Sequence, residues 1–249
     1  MASTVQILTS PSQRLAGRKY DHPFFLGMTL LLAAVAAVGF APTYYLAGGP
    51  EAPLPSRIVH IHAAIFTAWM LLLVTQTTLI SVHRLHWHRK LGVAGFVLAI
   101  AMVISVVLTG ADLASRAKGK PGADIILGLL SITFADACSF AVLTAFAYRL
   151  RRNAAAHKRL IIIATACITR AAFNRWHIPI LFHHFYAAFA ATYAFLLLLA
   201  AYDLWSSRRI HRATIWGSAF LIFMGQMTRV IGPTASWHAF ALWIQSWGI

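Results

Sequence analysis

Long apolar runs constrain the fold of this chain more than any other feature of its sequence. The stretch from Arg57 to Ile80 would rise ~34 Å as an α-helix, enough to cross a hydrocarbon core of about 30 Å. Further runs of comparable length lie at about 24–47, 91–112, 123–149, 158–177, 179–205 and 213–231, and a shorter amphipathic piece lies at about 235–247. We therefore predict an all-α polytopic membrane protein with about seven transmembrane helices and a short C-terminal amphipathic helix.

The composition supports a membrane protein and argues against a separate soluble domain. The chain is 59% hydrophobic and 11% charged, whereas soluble domains usually carry about 25% charged residues. No stretch between the apolar runs is long enough to fold alone. We predict a single transmembrane domain over residues 1–249. Its first 23 residues form a polar cytoplasmic tail.

The net charge of +15 is explained by where the basic residues lie. Of the 21 Lys and Arg residues, 14 precede the first run or follow the second, fourth and sixth runs. In a seven-span topology those segments share one side of the membrane. The positive-inside rule then places the N-terminus in the cytoplasm of a bacterium, with the chain in the inner membrane. We expect the basic loops to contact lipid headgroups, and we expect no nucleic-acid partner.

Histidines collect toward the predicted outer face of the membrane. The residues at or near that face are His60, His62, His177, His183, His184 and His238. Polar side chains at such depth are costly in lipid and often mark functional sites. His60 and His62 are two residues apart, about 200° round a helix, so they cannot both face one centre. Adjacent His183 and His184 diverge likewise.

Asp136 and Arg170 are predicted to meet inside the membrane. Counting inward from Arg149, Asp136 lies ~20 Å along its helix, and Arg170 lies ~18 Å from Lys158. Helices joined by a short loop are antiparallel neighbours, so the two side chains reach similar depths. A lone buried charge is costly, whereas a paired one is tolerated. We expect a structural ion pair, with a proton-relay or gating role as the alternative.

The histidines near the predicted outer face are compatible with several kinds of site. Neutral imidazoles from two helices can bind the iron of haem b while arginines pair with its propionates. The candidate cofactor-binding residues are His60, His62, His183, His184, Arg170, Arg175 and Arg229. Three or four imidazoles can instead hold a copper or zinc ion. The candidate metal ligands are His62, His177, His184 and His238. A quinone-type pocket, or histidines bonded between helices without a ligand, are the remaining interpretations.

The two cysteines, Cys138 and Cys167, lie in the middle of the fourth and fifth runs. We interpret them as packing residues, because neither a CxxC spacing nor a loop position favours a metal pair or a disulfide. The seventh run has no lysine, which excludes a retinal Schiff base there. It also lacks histidine, which weakens the case for a zinc-dependent membrane hydrolase. No hydrolytic triad or phosphate-binding loop is present, so the sequence leaves open whether the protein is an enzyme.

The segments VHIHAAIFTAWMLLLVTQ, HRKLGVAGFVLA and HKRLIIIATACITRAAFNRW resemble a group of uncharacterised bacterial multi-pass membrane proteins. The likeness covers residues 57–175 and rests on a His-bearing helix, a Gln near its end and the HRKLG hook. That group has no settled activity, so the resemblance implies a membrane protein of unknown function. A looser likeness to small membrane factors of cytochrome oxidase assembly implies haem or copper by analogy.

The leading hypothesis is a redox-linked accessory protein that binds haem or a transition metal, with His62 and either His184 or His183 as ligands. Such a protein would work beside a respiratory or other membrane complex. One alternative is a binding or transport protein that receives a quinone-like or anionic small molecule through Arg170, Arg175 and Arg229. Another is a structural subunit of a larger membrane complex.

Overall fold

The computed structural model describes residues 11–53, 56–176, 178 and 186–249, apart from the side chains of 11–19 and 50. Within those ranges the chain is helical and has no β-strand, so the predicted all-α class is confirmed. The helices are α1 (Pro11–Phe40), α2 (Arg57–Ser81), α3 (Leu85–Ala117), α4 (Ala123–Arg149), α5 (Ala154–Phe173), α6 (Ala187–Ser207), α7 (Arg212–Ile231) and α8 (Ala235–Gln245). A π-helical turn, Ala41–Tyr45, extends α1.

Among the described helices, five are long and apolar enough to cross a membrane. These segments are Tyr20–Tyr45, Arg57–Ser81, Leu85–Ala117, Ala123–Arg149 and Ala187–Ser207. The protein is thus a helical membrane protein by the length and composition of its helices. Neither α5 nor α7 is among the five, although their apolar runs predicted a crossing for each. Seven crossings and a cytoplasmic N-terminus therefore stay predictions.

Helix α5 lies at the centre of the bundle, packed against α1, α4, α6 and α7. Its side chains at Ile163, Ala164 and Cys167 are 0% exposed, although α5 is less apolar on average than α2, α3, α4 or α6. Burial by protein on every side explains how a helix with three Lys and Arg residues is tolerated, because charges inside a membrane domain face protein partners and not lipid.

Each cation of α5 pairs with a carboxylate from a different helix. Lys158 Nζ lies 2.5 Å from Asp21 Oδ2 of α1. The Arg159 guanidinium pairs with Asp203 of α6, and the Arg170 guanidinium pairs with Asp136 of α4. Half of the chain's 6 acidic residues are used in this way. These pairs tie α5 to three neighbours at defined depths.

Several helix boundaries differ from those predicted: α1 begins at Pro11 and not at 24, and α3 ends at Ala117 and not at 112. Two helix starts have a clear cause. Helix α3 begins at Leu85 and not at 91, because the basic, histidine-rich segment before Leu91 continues the helix as its first turns. Helix α5 begins at Ala154 and not at 158, because the Asn153 side chain accepts a hydrogen bond from Ala156 N at 3.2 Å and caps the helix. Sequence boundaries drawn from hydropathy miss such polar helix ends.

The predicted C-terminal amphipathic helix is present as α8, which packs against α3 and α4. Ala241 and Ile244 on its inner face are 0% and 1% exposed. Gln245 Nε2 donates to Ala114 O at 2.8 Å, and Trp237 Nε1 donates to Leu127 O at 2.8 Å. These bonds fix α8 to the end of α3 and to the beginning of α4.

Candidate functional site

The connections between helices divide the bundle into two parts. The basic end contains the connections 81–85, 149–154 and 207–212, where α2–α3, α4–α5 and α6–α7 join. The distal half contains the α1–α2 and α3–α4 connections. The sequence-predicted ligand residues that the structure describes lie in the distal half.

His62 of α2 is held in one tautomer by α3. Its Nδ1 lies 3.1 Å from Ser105 Oγ. The Ser105 hydroxyl donates its single proton to Met102 O at 2.8 Å, so its oxygen can only accept from His62. His62 therefore carries its proton on Nδ1, and the lone pair of Nε2 is left for another partner. A second-shell bond of this kind is the usual way in which a protein orients an imidazole ligand.

Arg175 supplies a positive charge close to His62. Its guanidinium lies within electrostatic range of the imidazole and stacks over the Phe40 ring at 4.6 Å. Arg175 Nη1 donates to Ala171 O at 2.7 Å, which fixes the arm of the side chain. No carboxylate of the described residues pairs with it. The His62 ring itself packs against Phe66, 4.2 Å between centroids.

The Asp136–Arg170 ion pair expected from the depths of the two residues is present. The Arg170 side chain is 5% exposed and that of Asp136 is 21% exposed. Cys167 Sγ donates to Asp136 Oδ1 at 3.4 Å, one helical turn from Arg170 on α5. The guanidinium also lies 4.0 Å from the centre of the Phe189 ring. Both charges are therefore held by more than one contact.

Helices α6 and α7 add polar groups beside this pair. The Tyr193 hydroxyl lies near Gln226, Arg170 and Arg229. It is buried and has no hydrogen-bond partner among the described residues. Arg229 stacks over the Tyr186 ring at 3.8 Å. We call Asp136, Cys167, Arg170, Tyr193, Gln226 and Arg229 the distal cluster. It combines a carboxylate, a thiol, two guanidinium groups, a phenol and an amide drawn from four helices.

The remaining predicted ligands divide into described and undescribed residues. His60 does not share the hydrogen bond of His62; its Nδ1 is buried without a hydrogen-bond partner in the described structure, and its ring lies 6.2 Å from Tyr44. His238 lies beside Gly128 of α4, where Nε2 would be 3.9 Å from an added Cβ. The residues His177, His183 and His184 lie outside the described part of the chain.

The expected copper or zinc site has no counterpart in the described residues. Within them, no group of three or more His, Cys, Asp or Glu side chains is arranged to hold a metal ion. Two of the four expected ligands, His177 and His184, lie outside the described ranges. Cys138 and Cys167 are free thiols. Cys167 is buried, as a packing residue should be, whereas Cys138 is exposed, so the packing interpretation does not hold for it.

The polar network at the basic end was not among the sequence-based predictions. Tyr202 donates to Asp21 Oδ1 at 2.8 Å, and Lys158 binds the other oxygen of the same carboxylate. Asp203 Oδ2 accepts from Thr214 Oγ1 at 2.6 Å. One signal was available: with only 6 acidic residues in the chain, any acid inside an apolar run needs a cation partner.

Chemically, the distal half offers an imidazole with a free Nε2 lone pair and a neighbouring guanidinium without a carboxylate. At the basic end, the buried cations Lys158 and Arg159 are already paired with Asp21 and Asp203. The distal half is therefore the candidate site for a ligand. No protein-family model, no curated protein and no solved structure matches this chain, so its function is argued from these residues.

Proposed function

We propose that the protein is a redox-linked accessory protein of the bacterial inner membrane that binds haem b in its distal half. In this proposal seven helices cross the membrane, the N-terminus is cytoplasmic, and a respiratory or other membrane complex is the partner. His62 would hold the iron through its Nε2 lone pair. Arg175 would pair with a propionate.

The observation that carries the proposal is the hydrogen bond from His62 Nδ1 to Ser105. Haem iron binds neutral imidazole, and the orientation of that imidazole is commonly fixed through the nitrogen that does not bind the metal. Ser105 provides this support from a neighbouring helix at a site 4% exposed.

Arg175 supports the same ligand from a second direction. Haem b carries an iron that needs a neutral nitrogen donor and propionates that need cations. His62 and Arg175 offer these two groups side by side. A second imidazole for the iron would come from His184 or His183, which lie outside the described residues.

The test is the absorption spectrum of the purified protein, as isolated and after titration with hemin. A Soret band is expected for the wild type and its loss for His62→Ala. Ser105→Ala is expected to weaken hemin binding about tenfold, the loss that second-shell changes at metal sites commonly cause. Ser139→Ala is the matched control, because the Ser139 hydroxyl is equally buried and has no hydrogen-bond partner among the described residues.

A quinone-like ligand is the second candidate, and the distal cluster favours it. Tyr193, Gln226 and Arg229 supply hydrogen-bond donors, while Asp136 supplies a carboxylate that can exchange a proton. A colourless preparation that binds a short-chain quinone, with binding reduced in Tyr193→Phe, would support this candidate. If neither hemin nor quinone binds, a structural subunit is the better interpretation.

A further inference from the structure

A groove at the basic end belongs to neither of the sites above. It runs between α4, α5 and α7 and has a volume of about 950 Å³. Its walls are mostly apolar, with Val142, Leu143, Leu160, Trp216 and Phe220 among the lining residues. The Trp216 side chain is 74% exposed, so the groove opens on the outer surface of the bundle. A cavity of this size and character suits a hydrocarbon chain.

The mouth of the groove is positively charged. Arg209, His211 and Arg212 line it, at the 207–212 connection. Neither arginine has a carboxylate partner among the described residues. This contrasts with α5, where each of the three cations has such a partner. Arg209 and Arg212 therefore stay available to an anion from outside the protein.

Hydrogen bonds within the connection hold the mouth in place. Ser207 Oγ lies 2.8 Å from Asp203 O and 2.9 Å from Arg209 O. The His211 backbone N–H donates to Asp203 Oδ2 at 3.0 Å. Since Asp203 is wholly buried, it anchors the basic segment to the core of the bundle. The two arginines are thus presented on an ordered segment beside the apolar walls.

We propose that this groove binds one anionic phospholipid of the membrane. An acyl chain lies against the apolar walls, and Arg209 and Arg212 contact the phosphate. Groups of Lys and Arg beside membrane-spanning helices commonly hold anionic headgroups in this way. Helix α4, one wall of the groove, is among the helices long and apolar enough to cross the membrane, so lipid reaches the groove directly. A soluble anion would leave the apolar walls uncovered.

The experiment uses lipids with brominated acyl chains, which quench tryptophan at contact. The full chain is reconstituted in phosphatidylcholine bilayers containing increasing fractions of brominated phosphatidylglycerol or brominated phosphatidylcholine. The fluorescence of Trp216 is obtained by subtracting the fluorescence of Trp216→Phe from that of the wild type. We expect half-maximal quenching of Trp216 at a several-fold lower fraction of the phosphatidylglycerol. Equal quenching by the two lipids would overturn the proposal.

Charge variants test the mouth of the groove. Arg209→Gln combined with Arg212→Gln is expected to abolish the preference for phosphatidylglycerol. Arg208→Gln is the matched control, because Arg208 is exposed in the same connection and does not line the groove. If the control loses the preference as the double variant does, general surface charge is responsible and the proposed site is wrong.

Two further experiments test whether an acyl chain occupies the groove and whether the bound phosphate belongs to a lipid. Val142→Phe fills part of the groove, adds no tryptophan and leaves both arginines in place, so it is expected to reduce quenching of Trp216 by either lipid. Inorganic phosphate added to the protein in phosphatidylcholine is expected to leave the lipid preference unchanged. Loss of that preference in phosphate would show a free-anion site and not a lipid site.

Discussion

Arg159 and Asp203 form an ion pair whose carboxylate is 0% exposed, with Arg159 Nε lying 2.9 Å from Asp203 Oδ1. The second carboxylate oxygen accepts from the His211 backbone and from the Thr214 hydroxyl. One side chain of α6 thus satisfies donors from α5, α7 and the connection between α6 and α7. Removing one partner of a buried pair leaves the other charge uncompensated, which is the costly way to break it.

Asp203→Asn is therefore expected to destabilise the protein by about 3 kcal/mol or more. The asparagine keeps the volume but loses the negative charge that Arg159 needs. Unfolding in mixed detergent micelles measures the change. Asp124→Asn is the control, because Asp124 is exposed at the start of α4 and has no ion pair among the described residues. Equal losses in both variants would contradict a special role for Asp203.

The Asp136–Arg170 pair is expected to show strong coupling. Asp136→Asn and Arg170→Gln should each destabilise the protein, because each leaves one buried charge alone. The double variant should be more stable than the sum of the two losses predicts, by about 1–3 kcal/mol. A double-mutant cycle in detergent measures this coupling energy. Simple additivity would show that the two charges do not depend on each other.

Gly39 is predicted to be required for the packing of α1 on α5. An added Cβ at Gly39 would lie 2.6 Å from the backbone oxygen of Ala172, which cannot move without shifting α5. Gly39→Ala should therefore cost about 1–3 kcal/mol, as overpacking does. Gly27→Ala in the same helix is the control, since nothing lies within 4 Å of its added Cβ. A thermal shift in Gly27→Ala as large as that in Gly39→Ala would contradict this explanation.

His211 is expected to make stability fall in mild acid. Burial lowers the pKa of His211 from its ordinary 6.5, and the charge of Arg159 lowers it further. Its Nδ1 accepts from Ala213 N at 3.0 Å, a bond that protonation breaks. Below pH 6.5 the unfolded chain binds a proton that the folded chain excludes, so the free energy of unfolding decreases as the pH falls.

Unfolding measured from pH 8 to pH 5 tests this expectation. His211→Asn keeps a capping side chain but does not titrate, so it should lack the part of the acid sensitivity that belongs to His211. The difference in free energy of unfolding between wild type and variant should be constant above pH ~6.5 and should shrink below it. If the free energies of unfolding of wild type and His211→Asn change with pH in parallel over the whole range, His211 is not the source of the acid sensitivity.

Seven crossings place Gly48 and Trp237 on the same side of the membrane, with Arg152 on the other. Single-cysteine variants at these positions, in a Cys138→Ala and Cys167→Ala background, can be labelled in intact cells with an impermeant maleimide. Labelling is expected at 48 and 237 and not at 152 until the membrane is permeabilised. Labelling of 48 but not of 237 would contradict the seven-span topology.

The sequence predicted the helices well because hydrophobic runs and basic loops are local properties. It also placed Asp136 and Arg170 together, since the short connection between α4 and α5 fixes their relative depth. Asp21 was missed because the sequence interpretation assigned it to a polar tail, whereas α1 begins at Pro11 and carries Asp21 within the bundle. Its pairing with Lys158 joins residues 137 positions apart, which no local pattern indicates.

The candidate site was harder to predict than the fold. Depth counting brought His62 and His238 to one face, but depth does not say which side of a bundle a residue occupies. His238 lies beside Gly128 of α4 because α8 packs on α3 and α4. The Ser105 partner of His62 was not predicted, because a serine in an apolar helix more often bonds its own backbone, and Ser105 does that as well.

The three carboxylate partners of α5 have a consequence for biosynthesis. In the seven-span topology, α5 is poorly retained in lipid by itself, because it carries Lys158 and Arg159 near its start and Arg170 deeper in the crossing, and a Lys or Arg at the centre of a crossing costs about 2.5–3.5 kcal/mol during insertion. Neutralisation comes from α1 and α4, made earlier, and from α6, made later. Stable integration of α5 therefore waits until α6 leaves the ribosome, and a nascent chain truncated before Asp203 should expose this helix to membrane quality control.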